Sequence, residues 1–204
     1  PESDVDSDGR RASAAAIARA LERLDRLVAN LLDLGRIEAG ELRADLDVFE
    51  LDDLAGRTID RLAPRLAGHD LRVEVGPLPV LVDPVFLDEA LTNLLDNALK
   101  FAGSASTITI AATTVDADWV RLTVEDDGPG VSDGGFDGLF ERFHRRPAAD
   151  GRLRPGTGIG LAVVRGLVEA MGGRVHARRS ALGGLAVEMD LPQARLPAEL
   201  AVSR

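Results

Sequence analysis

The chain has 204 residues, 45% hydrophobic and 28% charged, which is the composition of a globular protein rather than a disordered one. A formal net charge of −10 opposes general binding to nucleic-acid phosphates, so an anionic ligand must be met by a local basic cluster. The absence of cysteine excludes disulfides and thiolate metal sites and fits the cytosol, and no apolar run approaches the ~18–20 residues of a membrane span.

The chain opens on Pro1, and we expect a piece of something longer. Residues 1–11 are polar and turn-rich, and read as a loop. From 12 to about 38 the pattern is helical: Ala14, Ile17, Leu21, Leu24, Val28 and Leu31 recur at alternating spacings of 3 and 4, the seam of a coiled-coil-like helix. Leu27, Leu32 and Leu34 widen that face towards a bundle, so this helix calls for partner helices.

A second block, 46–192, alternates helices and strands. Residues 51–67 form an amphipathic helix expected to stop or break near Pro64. "LRVEV" and "PVLVD" read as short strands, after which Asp83 and Pro84 supply an N-cap and a first-turn proline for a helix through Phe101. "STITIAATTV" and "WVRLTVED" alternate as an antiparallel pair joined at "DAD". The glycine- and arginine-rich stretch 128–158 is too long for an ordinary connection and reads as functional. Helix 159–171 and strands 174–179 and 185–191 follow, with Gly172-Gly173 and Gly183-Gly184 as turns, and the tail 193–204 is expected to fray. The fold class is α+β, a two-layer sandwich with helices on one face of a mixed sheet, preceded by a long helix.

Three constellations carry chemistry. Asn93, Asn97 and Lys100, at i, i+4 and i+7, share one helix face. Merely buried, each unsatisfied group would cost ~1–3 kcal/mol. The stripe suits a ligand rich in oxygens, with amides for hydrated Mg²⁺ and an ammonium for phosphate. Lys100 is the single lysine among 24 basic residues. Next, Asp126 and Asp127 precede Gly128-Pro129-Gly130 at a strand end, where a carboxylate can accept from an adenine amino group and glycines let backbone approach the base. Finally, Gly156, Gly158 and Gly160 run into a helix and expose N–H groups to an anion. Arg142, Arg145, Arg146, Arg152 and Arg154 form the basic cluster, within 13 residues.

In this order and spacing the motifs resemble the asparagine box and two glycine boxes of the Bergerat ATP-binding fold, shared by gyrase, MutL, the large heat-shock chaperone and sensor histidine kinases. "NLLDNALKF" and "LFERFHRR", with Phe140 and Phe143, are similar to the asparagine and phenylalanine boxes of the histidine kinases. "RLDRLVANLLDLGRIEAGEL" looks like the second helix of their dimerisation domain, and "LPVLVDPVFLDEALTNLLDNALKFA" and "VVRGLVEAMGGRV" resemble the Kdp potassium-responsive sensors. The resemblance implies ATP and Mg²⁺ as cofactors. It makes Asn97 the metal ligand, Lys100 a phosphate contact and Asp126 the adenine reader. Gly128 and Gly130 become the first glycine box; Gly156, Gly158 and Gly160, with Thr157 and Leu161, become the second; and Arg142 joins a lid. Asn93 stands where the ATP hydrolases of the superfamily carry a glutamate base, so transfer is favoured over hydrolysis.

The resemblance further divides the chain into a second dimerisation helix (12–45) and a catalytic domain (46–192). The family's phosphoacceptor histidine, followed by an acid and then a proline, is not matched by His69, His144 or His176, which read as structural. The expected function is therefore the ATP-binding portion of a sensor histidine kinase, unable to phosphorylate itself. It would transfer the γ-phosphoryl group to a histidine on a dimerisation domain for relay to a response regulator. Implied partners are that domain, the cognate response regulator and a second copy in a homodimer, with no nucleic acid. The portion would be cytoplasmic, in a full-length protein anchored in a bacterial inner membrane. Two alternatives are a nucleotide-gated interaction module without catalysis and an anti-sigma-factor serine kinase, the latter disfavoured by the long helix 12–38.

Overall fold

The structure is a computed structural model that describes residues 27–103, 105–131, 136, 138–143 and 157–195, with positions 13, 14, 17, 21 and 24. The expectations for the loop 1–11, for His144, Arg145, Arg146, Arg152, Arg154 and Gly156, and for the tail beyond 195 lie outside the described residues.

Helix α1 covers 27–39, and the described positions before it, 13, 14, 17, 21 and 24, are helical too. Its seam faces solvent, with Ile17, Leu21, Leu24, Val28, Leu31 and Leu32 between 47% and 61% exposed. Leu34 departs from the expected face: it is buried in the core of the domain. Strand β1 (Asp47–Glu50), unanticipated from sequence, pairs antiparallel with β3 (Pro79–Val82) in a two-stranded sheet. Between them lie α2 (Leu51–Leu66) and β2 (Asp70–Glu74). Helix α2 carries Pro64 in its last turn and ends two residues later, at Leu66, close to the stop expected at the proline.

Helix α3 (Pro84–Phe101) starts as its sequence dictates, with the Asp83 carboxylate accepting from the Val85 and Phe86 N–H groups at 2.9 and 3.2 Å. After it come β4 (Thr107–Thr114), β5 (Trp119–Asp126), α4 (Gly160–Ala170), β6 (Arg174–Arg179) and β7 (Leu185–Pro192). The main sheet has the order β2-β4-β5-β7-β6, with β2 parallel to β4 and the other pairs antiparallel. Alternation along the strands sends Ile108, Ile110, Val120, Leu122, Val124, Val187, Met189 and Leu191 to one face. There they meet Leu87, Leu91, Leu94 and Leu95 of α3 and Val163, Val164, Leu167 and Val168 of α4. This is the two-layer α+β sandwich.

The other sheet face is a lattice of charges. Arg121 bonds Asp190 at 2.7 Å and Glu188 at 3.0 Å, and Arg178 reaches Glu188 at 2.6 Å and Glu125 at 3.1 Å. His176 lies 3.6 Å from Asp190, and His69 meets the Ser106 hydroxyl at 2.7 Å. Gln193 does not fray: it bridges to Val80, and its N–H bonds the Asp118 carbonyl at 2.8 Å.

Candidate nucleotide-binding site

The last inward residue of β5, Asp126, sinks its side chain between the sheet and α3, where it is 7% exposed. Its Oδ1 accepts from the Gly128 N–H at 2.8 Å and, more distantly, from Leu185 N–H at 3.4 Å. Burial pushes its carboxyl above the ordinary range, and the two amides oppose that shift. A small pocket beside it is walled by Leu94, Asn97, Ala98, Val124, Leu185 and Val187. Its walls are mostly apolar, with one carboxylate acceptor and one amide among them.

Glycines shape the floor. A Cβ on Gly128 would lie 2.8 Å from Asp126 Oδ1 and 2.9 Å from Ala102 Cα. A Cβ on Gly184 would meet the same Oδ1 at 2.2 Å and the Asp126 carbonyl at 2.4 Å. Gly130 holds φ +63° against the carbonyls of Gly183 and Gly184. The sequence reading placed Gly183-Gly184 only as a turn, and missed Val124, Leu185 and Val187 as walls. The signal for Gly184 was there, a glycine pair feeding an apolar strand, but its partner lies 58 residues earlier in the chain at Asp126.

One turn before Asn97, Asn93 faces the start of α4. A Cβ on Gly160 would stand 3.3 Å from Asn93 Oδ1, so this glycine lets the helix end approach the amide. The N-cap residue of α4, Ile159, makes no side-chain capping bond. Gly158 turns the chain into the helix at φ +72°, Thr157 is half-buried beside it, and Leu161 packs on the core. Asn93 is engaged already: it exchanges amide contacts with Asn30 of α1 at 3.3 and 3.4 Å and donates to the Glu89 carbonyl at 3.1 Å. Lys100 lies in the last turn of α3 with its ammonium 4.4 Å from the Phe101 ring centre. Arg142 pairs with Glu38 of α1. Of the phenylalanine box, Phe140 packs against the core while Phe143 is 64% exposed at φ +57°. The structure thus brings together Asn97 with Asp126, Gly128 and Gly130, and separately Asn93 with Gly160.

Residues 82–195 match the family described as histidine kinase-, DNA gyrase B-, and HSP90-like ATPase. The sensor protein KdpD of Mycobacterium tuberculosis is 36% identical over 183 residues, covering 87% of this chain and 21% of that protein. The histidine-protein kinase BaeS of Escherichia coli is 34% identical over 178 residues, covering 84% of this chain and 37% of that one. The chain therefore spans about a fifth to two-fifths of these relatives' lengths. Among solved structures, full-length ShkA in complex with AMPPNP superposes with a TM-score of 0.73 at 30% identity, over 92% of this chain and 40% of that one. The mycobacterial sensor histidine kinase MprB gives 0.66 at 28% identity, over 74% of this chain and 100% of that one. The chain belongs to the histidine kinase-, DNA gyrase B- and HSP90-like ATPase family, as a KdpD-like sensor histidine kinase ATP-binding domain.

Proposed function

We propose that this domain binds Mg-ATP and delivers its γ-phosphoryl group to a histidine on a dimerisation domain, for relay to a response regulator. The observation that carries the reading is the buried Asp126 carboxylate, held by backbone amides at the floor of a pocket it shares with Asn97. Asp126 would accept from the adenine amino group while Val124, Leu185 and Val187 enclose the ring. ShkA, similar in fold, carries the ATP analogue AMPPNP, which supports an adenine nucleotide here. The phosphates would run towards Asn93 and the uncapped α4, with Lys100 and Arg142 supplying positive charge.

The donor set fits Mg²⁺. Among the described residues no group of three or more His, Cys, Asp or Glu could hold a metal, but a cation that keeps much of its water needs few protein ligands beside substrate phosphates. Asn97 would contribute its amide oxygen, and the bound ion would neutralise charge on the phosphates. Transfer then depends chiefly on positioning and charge neutralisation, which can act on an acceptor supplied from elsewhere. Asn93, an amide, cannot deprotonate water, which limits hydrolysis.

In this reading residues 12–45 are the second helix of the dimerisation domain and 46–192 the catalytic domain. The exposed seam of α1 supports association with partner helices in a homodimer. His69 bonds the Ser106 hydroxyl and His176 lies beside Asp190, and neither is followed by the acid and proline of the family's acceptor, so in this reading the acceptor is a histidine outside the described residues. Radiolabelled ATP tests this directly. The chain alone should bind Mg-ATP, hydrolyse it slowly and not label itself, and an added dimerisation-domain polypeptide should acquire an acid-labile phosphohistidine. Tight ATP binding with no labelling of that acceptor would replace the kinase by a nucleotide-gated interaction module.

A further inference from the structure

Only one face of α1 is covered: Leu27, Asn30, Asp33, Leu34 and Ile37 are buried or half-buried, and the residues between them are exposed. Leu34 enters the core of the domain. Ile37 lodges over Gly166 of α4, where a Cβ would lie 2.4 Å from its Cδ1 and 2.8 Å from its Cγ1. Gly166 is buried in the middle of that helix, a place where glycine weakens it, and the three atoms nearest to such a Cβ all belong to Ile37. The missing side chain is a notch that α1 fills.

One turn and a half nearer the start of α1, the same face reaches the nucleotide site. Asn93 Oδ1 accepts from Asn30 at 3.3 Å, while Asn93 Nδ2 donates to Asn30 at 3.4 Å and to the Glu89 carbonyl at 3.1 Å. An amide has two N–H donors, so both of those on Asn93 are committed while α1 is docked. Arg142 is committed too, to Glu38. The chain beyond α1 lets the helix leave. It turns at Gly40 with φ +65°, runs without regular structure through 41–46, and is pinned again where the Asp45 N–H meets the buried Asp83 carboxylate at 2.9 Å.

We propose that docked α1 is an autoinhibitory element, competing with the phosphates of the nucleotide for Asn93 and Arg142. The inference rests on the function proposed above, which sends the phosphates to those two residues. Ile37 in its notch holds the helix down, and a phosphate oxygen can take an Asn93 N–H only by displacing Asn30. The coupling is reciprocal: the docked helix weakens nucleotide binding, and bound nucleotide loosens the helix by the same factor.

Amide hydrogen exchange on the whole chain, without nucleotide, tests the docking by itself. The 27–39 amides should be protected, because docking supports a segment too short to hold as a helix alone. Ile37→Asp should remove that protection, as should Gly166→Ala, which fills the notch with a better helix former. Saturating Mg-AMPPNP should lower the protection in the unsubstituted chain by about five-fold or more, and calorimetry should show the undocked variants binding Mg-AMPPNP tighter by the same factor. An unprotected α1 in the unsubstituted chain, protection that survives both substitutions, or an affinity unchanged in a variant whose α1 has lost protection would each overturn the proposal. Failure of every chain to bind the nucleotide would remove the function proposed above, and this inference with it.

Discussion

The two faces of the main sheet treat their buried carboxylates in opposite ways. On the open face, Glu188 and Asp190 lie under the guanidiniums of Arg121 and Arg178, every one of them bonded to opposite charge. On the helix face, Asp126 is bonded instead to backbone N–H groups. Pairing with cations makes the open face a structural lattice. A carboxylate buried without a cation raises its own pKa and costs stability, so it persists where a ligand makes use of it.

The comparison breaks most severely at Gly184. Gly184→Ala drives a methyl into Asp126 and its backbone, and should destabilise the domain by about 3 kcal/mol, near the upper end for overpacking, while closing the pocket. Urea unfolding and nucleotide titration read the two effects.

Asp126→Asn separates function from stability on the helix face. ATP affinity should fall by about 1.5–3 kcal/mol, because the charge-assisted bond is lost, with GTP still poor. The urea midpoint should hold or rise. Burial raises the Asp126 pKa, so its contribution to folding is complete below the unfolded value and lost as pH rises through the folded one, a loss the amide escapes. Calorimetry across pH should show wild-type ATP affinity declining on acidification from above the ordinary carboxylate range, as protonation turns the acceptor into a donor. An affinity for ATP unchanged by the substitution would sink the assignment of Asp126.

On the open face the effects are reversed and smaller. Arg121→Gln leaves Asp190 without a guanidinium partner and Glu188 with Arg178 alone, and should cost about 1–2 kcal/mol of stability, with nucleotide affinity unchanged. Arg165→Ala removes a half-exposed pair with Glu169 and should stay within about 0.5 kcal/mol in thermal unfolding.

Much of this was legible from local chemistry. Asp83-Pro84 announced the start of α3, and alternation in "TITIAATT" and "WVRLTVED" gave the β4–β5 pair. Asn97 and Asp126, picked out from separate motifs, line one pocket in the structure. Strand β1 escaped because "DVFE" is too short to show a period and leads straight into the helix at Leu51. Asn30 escaped for another reason: it is an unremarkable polar residue on its own helix, and only the packing of α1 against α3 brings it to Asn93. Leu34 misled in the same way, since widening an apolar seam and anchoring a helix to a neighbouring domain look alike in one dimension.

The position of β7 has a consequence for synthesis. It is the last strand of the chain described here, yet it lies in the middle of the sheet, between β5 and β6, and Gln193 just after it bridges to Val80. As the polypeptide leaves the ribosome, β5 therefore carries an open edge, and Val120, Leu122 and Val124 lack their neighbours until residue 192 has emerged. Such long-range closure is slow, and an unpaired apolar strand is a template for aggregation. A nascent chain stalled short of Leu185 is thus an aggregation hazard until β7 arrives.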